Sequence, residues 1–70
     1  MNLSARNVIK GTVKAIDVGA VNVDVILEIA PGVEMSSIIT KRSYESLGLR
    51  EGMEAHAVIK ATNVMIGVEE

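Results

Sequence analysis

The stretch VNVDVILEI, residues Val21–Ile29, alternates apolar and polar side chains and decides the fold class. In a strand, every second side chain points to the same face of the sheet. One face of this stretch is wholly apolar and consists of Val21, Val23, Val25, Leu27 and Ile29. The other face carries Asn22, Asp24 and Glu28, with Ile26 as its apolar exception. The pattern predicts a strand with one buried face.

Strand patterns also flank this stretch. The preceding NVIKGTVKAIDVG predicts a first strand, in which Gly11 marks a bulge or bend, and Gly19 predicts a hairpin connection. After Ile29, Pro31 and Gly32 predict a turn, because proline presets φ and glycine allows a positive φ. VEMSSIIT then predicts a third strand. The first half of the chain is therefore all-β.

The alternation stops at TKRSYESLGL, which predicts a short helix. Thr40 is suited to cap its start, Tyr44 and Leu47 form an apolar stripe, and Gly48 ends it. MEAHAVIKA and NVMIGVE predict strands four and five, separated by a tight turn near Thr62 and Asn63. A helix between strands three and four is the order of an OB-fold, so we expect an all-β, OB-fold-like five-stranded barrel.

The chain has 70 residues and no cysteine, so we expect a single domain, residues 1–70, without disulfides or thiolate metal sites. A core of this size rarely supplies more than about 3–5 kcal/mol. The hydrophobic fraction is nevertheless 49%, and Tyr44 is the only aromatic residue. That much aliphatic surface exceeds what a small monomer easily buries. We therefore expect association with further copies of the same chain.

The formal net charge is −2, which gives no general attraction to nucleic acid or to a membrane. No signal peptide is visible, and no apolar run approaches the ~20 residues of a membrane span, so the expected compartment is the cytoplasm. No nucleophile motif or acid–base pair is apparent, so we do not expect an enzyme. The one histidine, His56, is expected to be exposed or at an interface.

Two short stretches, residues 4–6 and 60–62, contain hydrogen-bond donors and no carboxylate. Their donors are the side chains of Ser4, Arg6, Lys60 and Thr62 and the backbone N–H groups near Ala5 and Ala61. If the stretches meet, in one chain or across two, they form a pocket with two positive charges. Such a pocket favours a tetrahedral oxyanion without a proton at neutral pH, such as sulfate, molybdate or tungstate. Phosphate keeps a proton and requires an acceptor as well.

Two other functions compete with oxyanion binding at this point. An OB-fold can bind nucleic acid, but that requires a basic groove and stacking aromatic residues, which one tyrosine and a negative net charge do not favour. Alternatively, the chain is a structural oligomerisation module, in which these donors serve only as interface hydrogen bonds. The residues by themselves leave the choice open.

Three segments carry a resemblance to a known family: LSARNVIKGTV, EIAPGVEMSSIIT and SLGLREGMEAHAVIKATNVMIGV. Together they resemble the molbindins, the Mop or molybdenum-pterin-binding proteins, over essentially the whole chain. The resemblance implies a TOBE-type molybdate-binding domain with an OB-fold-like barrel, assembled as a hexamer that is a trimer of dimers. It implies molybdate or tungstate bound between subunits and a role in intracellular molybdenum storage and homeostasis, with no cofactor beyond that ligand.

The resemblance also implies which residues hold the oxyanion. The SARN segment supplies the Ser4 hydroxyl, the Arg6 side chain and backbone N–H groups around Ala5. The KAT segment supplies Lys60 and the N–H of Ala61. Thr40 is expected to reach the pocket from a neighbouring subunit. Many relatives carry serine at the position of Ala61, so this chain lacks one hydroxyl donor unless Thr62 or a water replaces it.

Overall fold

A computed structural model describes residues 4–69 as a single antiparallel sheet with one short helix. The elements are β1 (Asn7–Val18), β2 (Asn22–Ala30), β3 (Val33–Thr40), α1 (Lys41–Leu47) and β4 (Glu54–Ile59). The strand order in the sheet is β3-β2-β1-β4, so β3 and β4 are its two edges. A cleft of about 300 Å³ is lined by residues of both edge strands. The predicted all-β class and the helix between strands three and four are confirmed.

The core lies on the inner face of the sheet, where the alternation in β2 predicts it. Val13, Val23, Val25 and Leu27 are its fully buried side chains. Partly buried hydrophobic side chains from α1 and the segment after it pack against this cluster: Tyr44, Leu49 and Met53. In contrast, Val21 is 74% exposed, because it precedes the first residue of β2.

Helix α1 begins and ends where the sequence predicts. The Thr40 hydroxyl accepts a hydrogen bond from the Ser43 N–H at 3.1 Å, and Gly48 adopts the left-handed conformation with φ 62°. Both are common helix-capping arrangements. The predicted apolar stripe holds only in part, because Tyr44 is half-buried whereas Leu47 is 63% exposed.

The sequence predicts a bulge or bend at Gly11, and this prediction is wrong. The irregularity in β1 lies between Val13 and Ala15, where its register with β2 shifts. A Cβ on Gly11 would lie 2.9 Å from the carbonyl oxygen of Glu28, so the close approach of β2 accounts for the glycine. Next to the shift, Val13 exchanges backbone hydrogen bonds with the loop before β4, to Met53 at 2.9 Å and from Gly52 at 2.8 Å.

The prediction of a fifth strand is wrong for the described residues of a single chain. Residues Ala61–Asn63 form a short 3-10 turn, and residues 64–69, called the tail below, pair with no strand in the described part of the chain. Met65, Ile66 and Val68 are 92%, 87% and 85% exposed. The alternation of apolar and polar side chains shows that a segment is suited to form a strand. A strand also needs the edge of a neighbouring strand for its backbone hydrogen bonds, and the alternation does not supply one. Residues 4–69 of one chain therefore do not close the barrel.

The overall dimensions agree with an unclosed sheet and a projecting tail. The radius of gyration is 13.0 Å, whereas a compact chain of this length has about 11 Å. Over residues 4–69, no helix combines the length and apolarity needed to cross a membrane.

Candidate functional site

The pairing of β1 with β4 brings the two donor-rich stretches together in one chain. Asn7, the first residue of β1, pairs with Ile59, the last residue of β4, and its side-chain amide donates to the Ile59 carbonyl at 3.3 Å. Continued by one residue beyond this pair, the antiparallel register places Arg6 across from Lys60. The strand register therefore brings the adjoining ends of the two stretches, Arg6 and Lys60, next to each other.

Arg6 and Lys60 form a positive patch on an acidic chain. Both residues are exposed, and no carboxylate of residues 4–69 lies within 4.0 Å of either charged group. Other lysines of β1 do have acidic partners: Lys10 lies 3.6 Å from Glu54, and Lys14 pairs with Glu34. Like charges at facing positions repel each other, so a bound anion would relieve this repulsion.

The 3-10 turn after β4 supplies further donors. The Lys60 carbonyl accepts from the Asn63 N–H at 2.9 Å, and the Ala61 carbonyl accepts from the Val64 N–H at 3.3 Å. The backbone N–H groups of Ala61 and Thr62 have no hydrogen-bond acceptor within the part of the chain that the structure describes. Two carbonyls of this turn therefore accept hydrogen bonds, whereas its first two N–H groups have no acceptor among residues 4–69 and are available to a ligand.

Thr40 lies apart from these residues in the same chain. It is the last residue of β3 and pairs with Asn22, so two strands, β2 and β1, separate it from β4. Thr40 also lies near the end of β1 that is opposite to Asn7. Val18, the last residue of β1, pairs with Val23, and Val23 pairs with Ile39, the neighbour of Thr40. The Thr40 hydroxyl is already engaged with Ser43 as the cap of α1.

The structure thus brings together the ends of the two stretches that hold six of the seven residues named for the oxyanion. The six are Ser4, Ala5, Arg6, Lys60, Ala61 and Thr62. It also adds Asn7, whose amide fixes the start of β1 to the end of β4. Sequence reasoning missed Asn7, although a polar residue between the SAR stretch and the first strand was a signal. His56 is exposed in β4 opposite Lys10.

Comparisons with known proteins identify the family and similar folds. Residues 3–66 match the TOBE domain family model. Molybdenum-pterin-binding protein 3 of Clostridium pasteurianum is 53% identical over 66 residues, which is 94% of this chain and 97% of that protein. A molybdate-binding protein from Sporomusa ovata superposes with a TM-score of 0.91 at 32% identity, over 97% of this chain and 100% of that one.

A third similar protein is ModG, described as a cytoplasmic molybdate-binding protein and solved with molybdate bound. It superposes with a TM-score of 0.92 at 51% identity, over 99% of this chain and 49% of ModG. With both solved structures, the similarity spans nearly the whole chain. The expected OB-fold-like architecture and the resemblance to the molybdenum-pterin-binding proteins are confirmed, although a single chain provides four of the five predicted strands.

Proposed function

Since this chain belongs to the TOBE domain family and is a relative of the molybdenum-pterin-binding proteins, we propose that it binds molybdate or tungstate. It does so as a binding protein and not as an enzyme. One observation carries the proposal: the β1–β4 pairing ends with Asn7 opposite Ile59, so Arg6 and Lys60 are the next residues along the two strands, and no carboxylate of residues 4–69 lies within 4.0 Å of either charge. Each cation attracts an anion at 4 Å by roughly 4 kcal/mol per unit charge at an effective dielectric constant of 20.

The pocket is completed between copies of the chain. Ser4, Arg6 and Lys60 are exposed in the single chain, so a lone copy leaves a bound anion largely in water. Salt and solvent weaken the attraction between exposed charges. A neighbouring copy excludes water and supplies the remaining donors, for which Thr40 is the candidate. The assembly we propose is a hexamer built as a trimer of dimers.

The tail supports association between copies. Its residues are exposed, whereas the cleft between β3 and β4 offers the free edges of two strands. Met35, Ile39 and Ile59 are among the apolar residues that line this cleft. Insertion of one copy's tail into another copy's cleft would supply the missing fifth strand. It would also bury Met65, Ile66 and Val68, each worth about 1.5–3 kcal/mol when fully buried.

A protein with these properties suits intracellular storage and homeostasis of molybdenum. Molybdate and tungstate are the ligands, and no further cofactor is required. The cytoplasm is the proposed compartment, in line with the description of ModG as cytoplasmic. No partner other than further copies of this chain is required.

Replacing Arg6 tests the proposal directly. Arg6→Ala removes one full charge and its donors from the pocket, so we expect at least a tenfold loss of molybdate affinity by isothermal titration calorimetry. Arg50→Ala makes the same chemical change at an exposed turn outside the candidate site, and it should bind molybdate like the original chain. Unchanged affinity in Arg6→Ala would remove Arg6 from the site.

Native mass spectrometry distinguishes molybdate binding from a purely structural oligomerisation module. Native mass spectrometry of the chain with excess molybdate should show an oligomer that retains oxyanion mass. An oligomer that never retains oxyanion mass would contradict molybdate binding and favour an oligomerisation module.

A further inference from the structure

We propose, on the premise that the chain binds oxyanions as described above, that Asn7 is a positioning residue of the site. Its side-chain amide does not touch the anion. It holds the peptide unit between Ile59 and Lys60 and thereby keeps Lys60 next to Arg6 before an anion arrives. The affinity for the anion therefore depends on an uncharged residue outside the set of ligands.

The side chain of Asn7 lies on the face of the sheet opposite to the side chain of Arg6. Successive residues of a strand point to opposite faces, and Asn7 is half-buried whereas Arg6 and Lys60 are exposed. The Asn7 amide donates to the Ile59 carbonyl at 3.3 Å, in a partly buried position. Asn7 therefore acts on the site through the backbone of β4.

The carbonyl that Asn7 binds belongs to the peptide unit that leads into the 3-10 turn. A peptide unit is planar, so a fixed Ile59 carbonyl also fixes the direction of the Lys60 N–H. Lys60 immediately precedes the turn, and its own carbonyl accepts from the Asn63 N–H at 2.9 Å. One side-chain hydrogen bond thus orients the start of the turn whose first N–H groups, of Ala61 and Thr62, are available to a ligand.

Without an anion, the charges of Arg6 and Lys60 oppose the pairing of the strand ends that carry them. Asn7 and Ile59 are the terminal pair of β1 with β4, directly before the two cations. Like charges at neighbouring positions of paired strands repel each other. The side-chain hydrogen bond of Asn7 adds to the backbone pairing at this point and offsets part of that repulsion. A site held together in advance spends less binding free energy on ordering, so its affinity is higher.

The test measures molybdate affinity by calorimetry in the full-length chain and in two variants. Asn7→Leu keeps a side chain of similar shape but removes the donor. Ile16→Val removes one carbon from a partly buried side chain at the other end of β1, so it lowers stability by a comparable amount outside the site. We expect molybdate binding to weaken about two- to tenfold in Asn7→Leu, as for the loss of one hydrogen bond, and to stay unchanged in Ile16→Val.

Three calorimetric results would contradict the proposal. Unchanged affinity in Asn7→Leu would overturn the positioning role, while molybdate binding by the original chain would still stand. Equal losses in the two variants would show that the affinity follows general stability and would also overturn it. Absence of binding by the original chain would overturn the proposed function and this inference with it.

Nuclear magnetic resonance of the anion-free protein separates positioning from direct contact with the ligand. If Asn7 positions the turn, Asn7→Leu should shift the backbone amide resonances of residues 61–63 before any molybdate is added. If Asn7 only contacts the anion, those resonances should match the original chain until molybdate is present. A weaker affinity together with unshifted anion-free resonances would therefore make Asn7 a ligand and overturn the positioning role.

Discussion

Thr40 has a structural role that its position in the sequence already indicates. Its hydroxyl satisfies the Ser43 N–H at the start of α1, where helical residues lack acceptors of their own. Because the same hydroxyl is a candidate ligand for the oxyanion of a neighbouring copy, the two roles must be separated by experiment.

Thr40→Ala should destabilise the chain, because it removes the cap of α1. We expect a loss of about 0.5–2 kcal/mol in the free energy of unfolding, measured by urea denaturation. Thr40→Ser keeps the hydroxyl and should retain most of that stability. Equal losses in the two variants would show that the methyl group, and not the cap, matters at this position.

Lys14 shows how pairing changes the titration of a surface group. The hydrogen bond to Glu34, followed by the charge of that carboxylate, raises the pKa of Lys14 above its usual value, and a small desolvation effect opposes the rise. The folded state therefore holds this proton more tightly than the unfolded state does. The resulting stabilisation is complete below the unfolded pKa of 10.5 and is lost as the pH rises through the higher folded pKa.

Lys14→Met should consequently lower the melting temperature at pH 7 by more than it does at pH 11.5. Glu34→Gln should show the same dependence on pH, because it removes the other partner of the pair. Since Lys14 is exposed, both effects should be small and should weaken in high salt. A difference from the original chain that stays constant from pH 7 to pH 11.5 would contradict the assigned pair.

At the scale of elements, the tail is the segment whose conformation the single chain leaves unsatisfied. It has the alternating pattern of a strand and pairs with no strand among residues 4–69 of its own copy. Edges and tails of this kind tend to pair with other chains.

Ile66→Lys should therefore impair assembly, because a charge would replace an 87% exposed apolar side chain that a partner is proposed to bury. We expect size-exclusion chromatography with light scattering to show a smaller species. Glu69→Lys introduces the same lysine in the same tail without removing an apolar group, and it should assemble normally. A full-sized oligomer of Ile66→Lys would show that the tail is not part of the interface.

Elements that depend on neighbouring residues could be predicted from the sequence, whereas those that depend on distant partners could not. The bounds of α1 follow from Thr40 and Gly48, whose caps act within a few residues. The bulge in β1 was misplaced at Gly11, because the position of a bulge depends on the contacts of β1 with β2 and with the loop before β4. The prediction of a fifth strand was wrong for the same reason, since pairing requires a strand edge and residues 64–69 reach none in the described part of their own chain.

At the scale of the whole molecule, binding and assembly are linked if the pocket lies between copies. An anion that binds only the assembled form stabilises that form by mass action, by about 2.7 kcal/mol at a free concentration one hundred times the Kd. The positions of Arg6 and Thr40 in different parts of one chain allow a direct test of this arrangement.

Arg6→Ala and Thr40→Ala subunits, each deficient in molybdate binding alone, should regain sites when unfolded and refolded together. In a random mixture, about a quarter of the pockets would combine an intact Arg6 from one copy with an intact Thr40 from another. Calorimetry of the mixed oligomer should detect those sites with the original affinity. Absence of recovery, with mixing confirmed by native mass spectrometry, would show that Thr40 does not complete the pocket of a neighbouring copy.

The sequence by itself determined the all-β class, the capped helix, the two donor-rich stretches and the family, because these depend on alternation, local capping and residue identity. Only the tertiary structure decided that the strand ends next to Arg6 and Lys60 pair, that Thr40 lies at the opposite end of β1, and that residues 64–69 pair with no strand among residues 4–69. Each of these facts depends on strand register and edge pairing, which join residues that are distant in the chain. Register is fixed by the packing of the whole sheet, and no short stretch of residues encodes it.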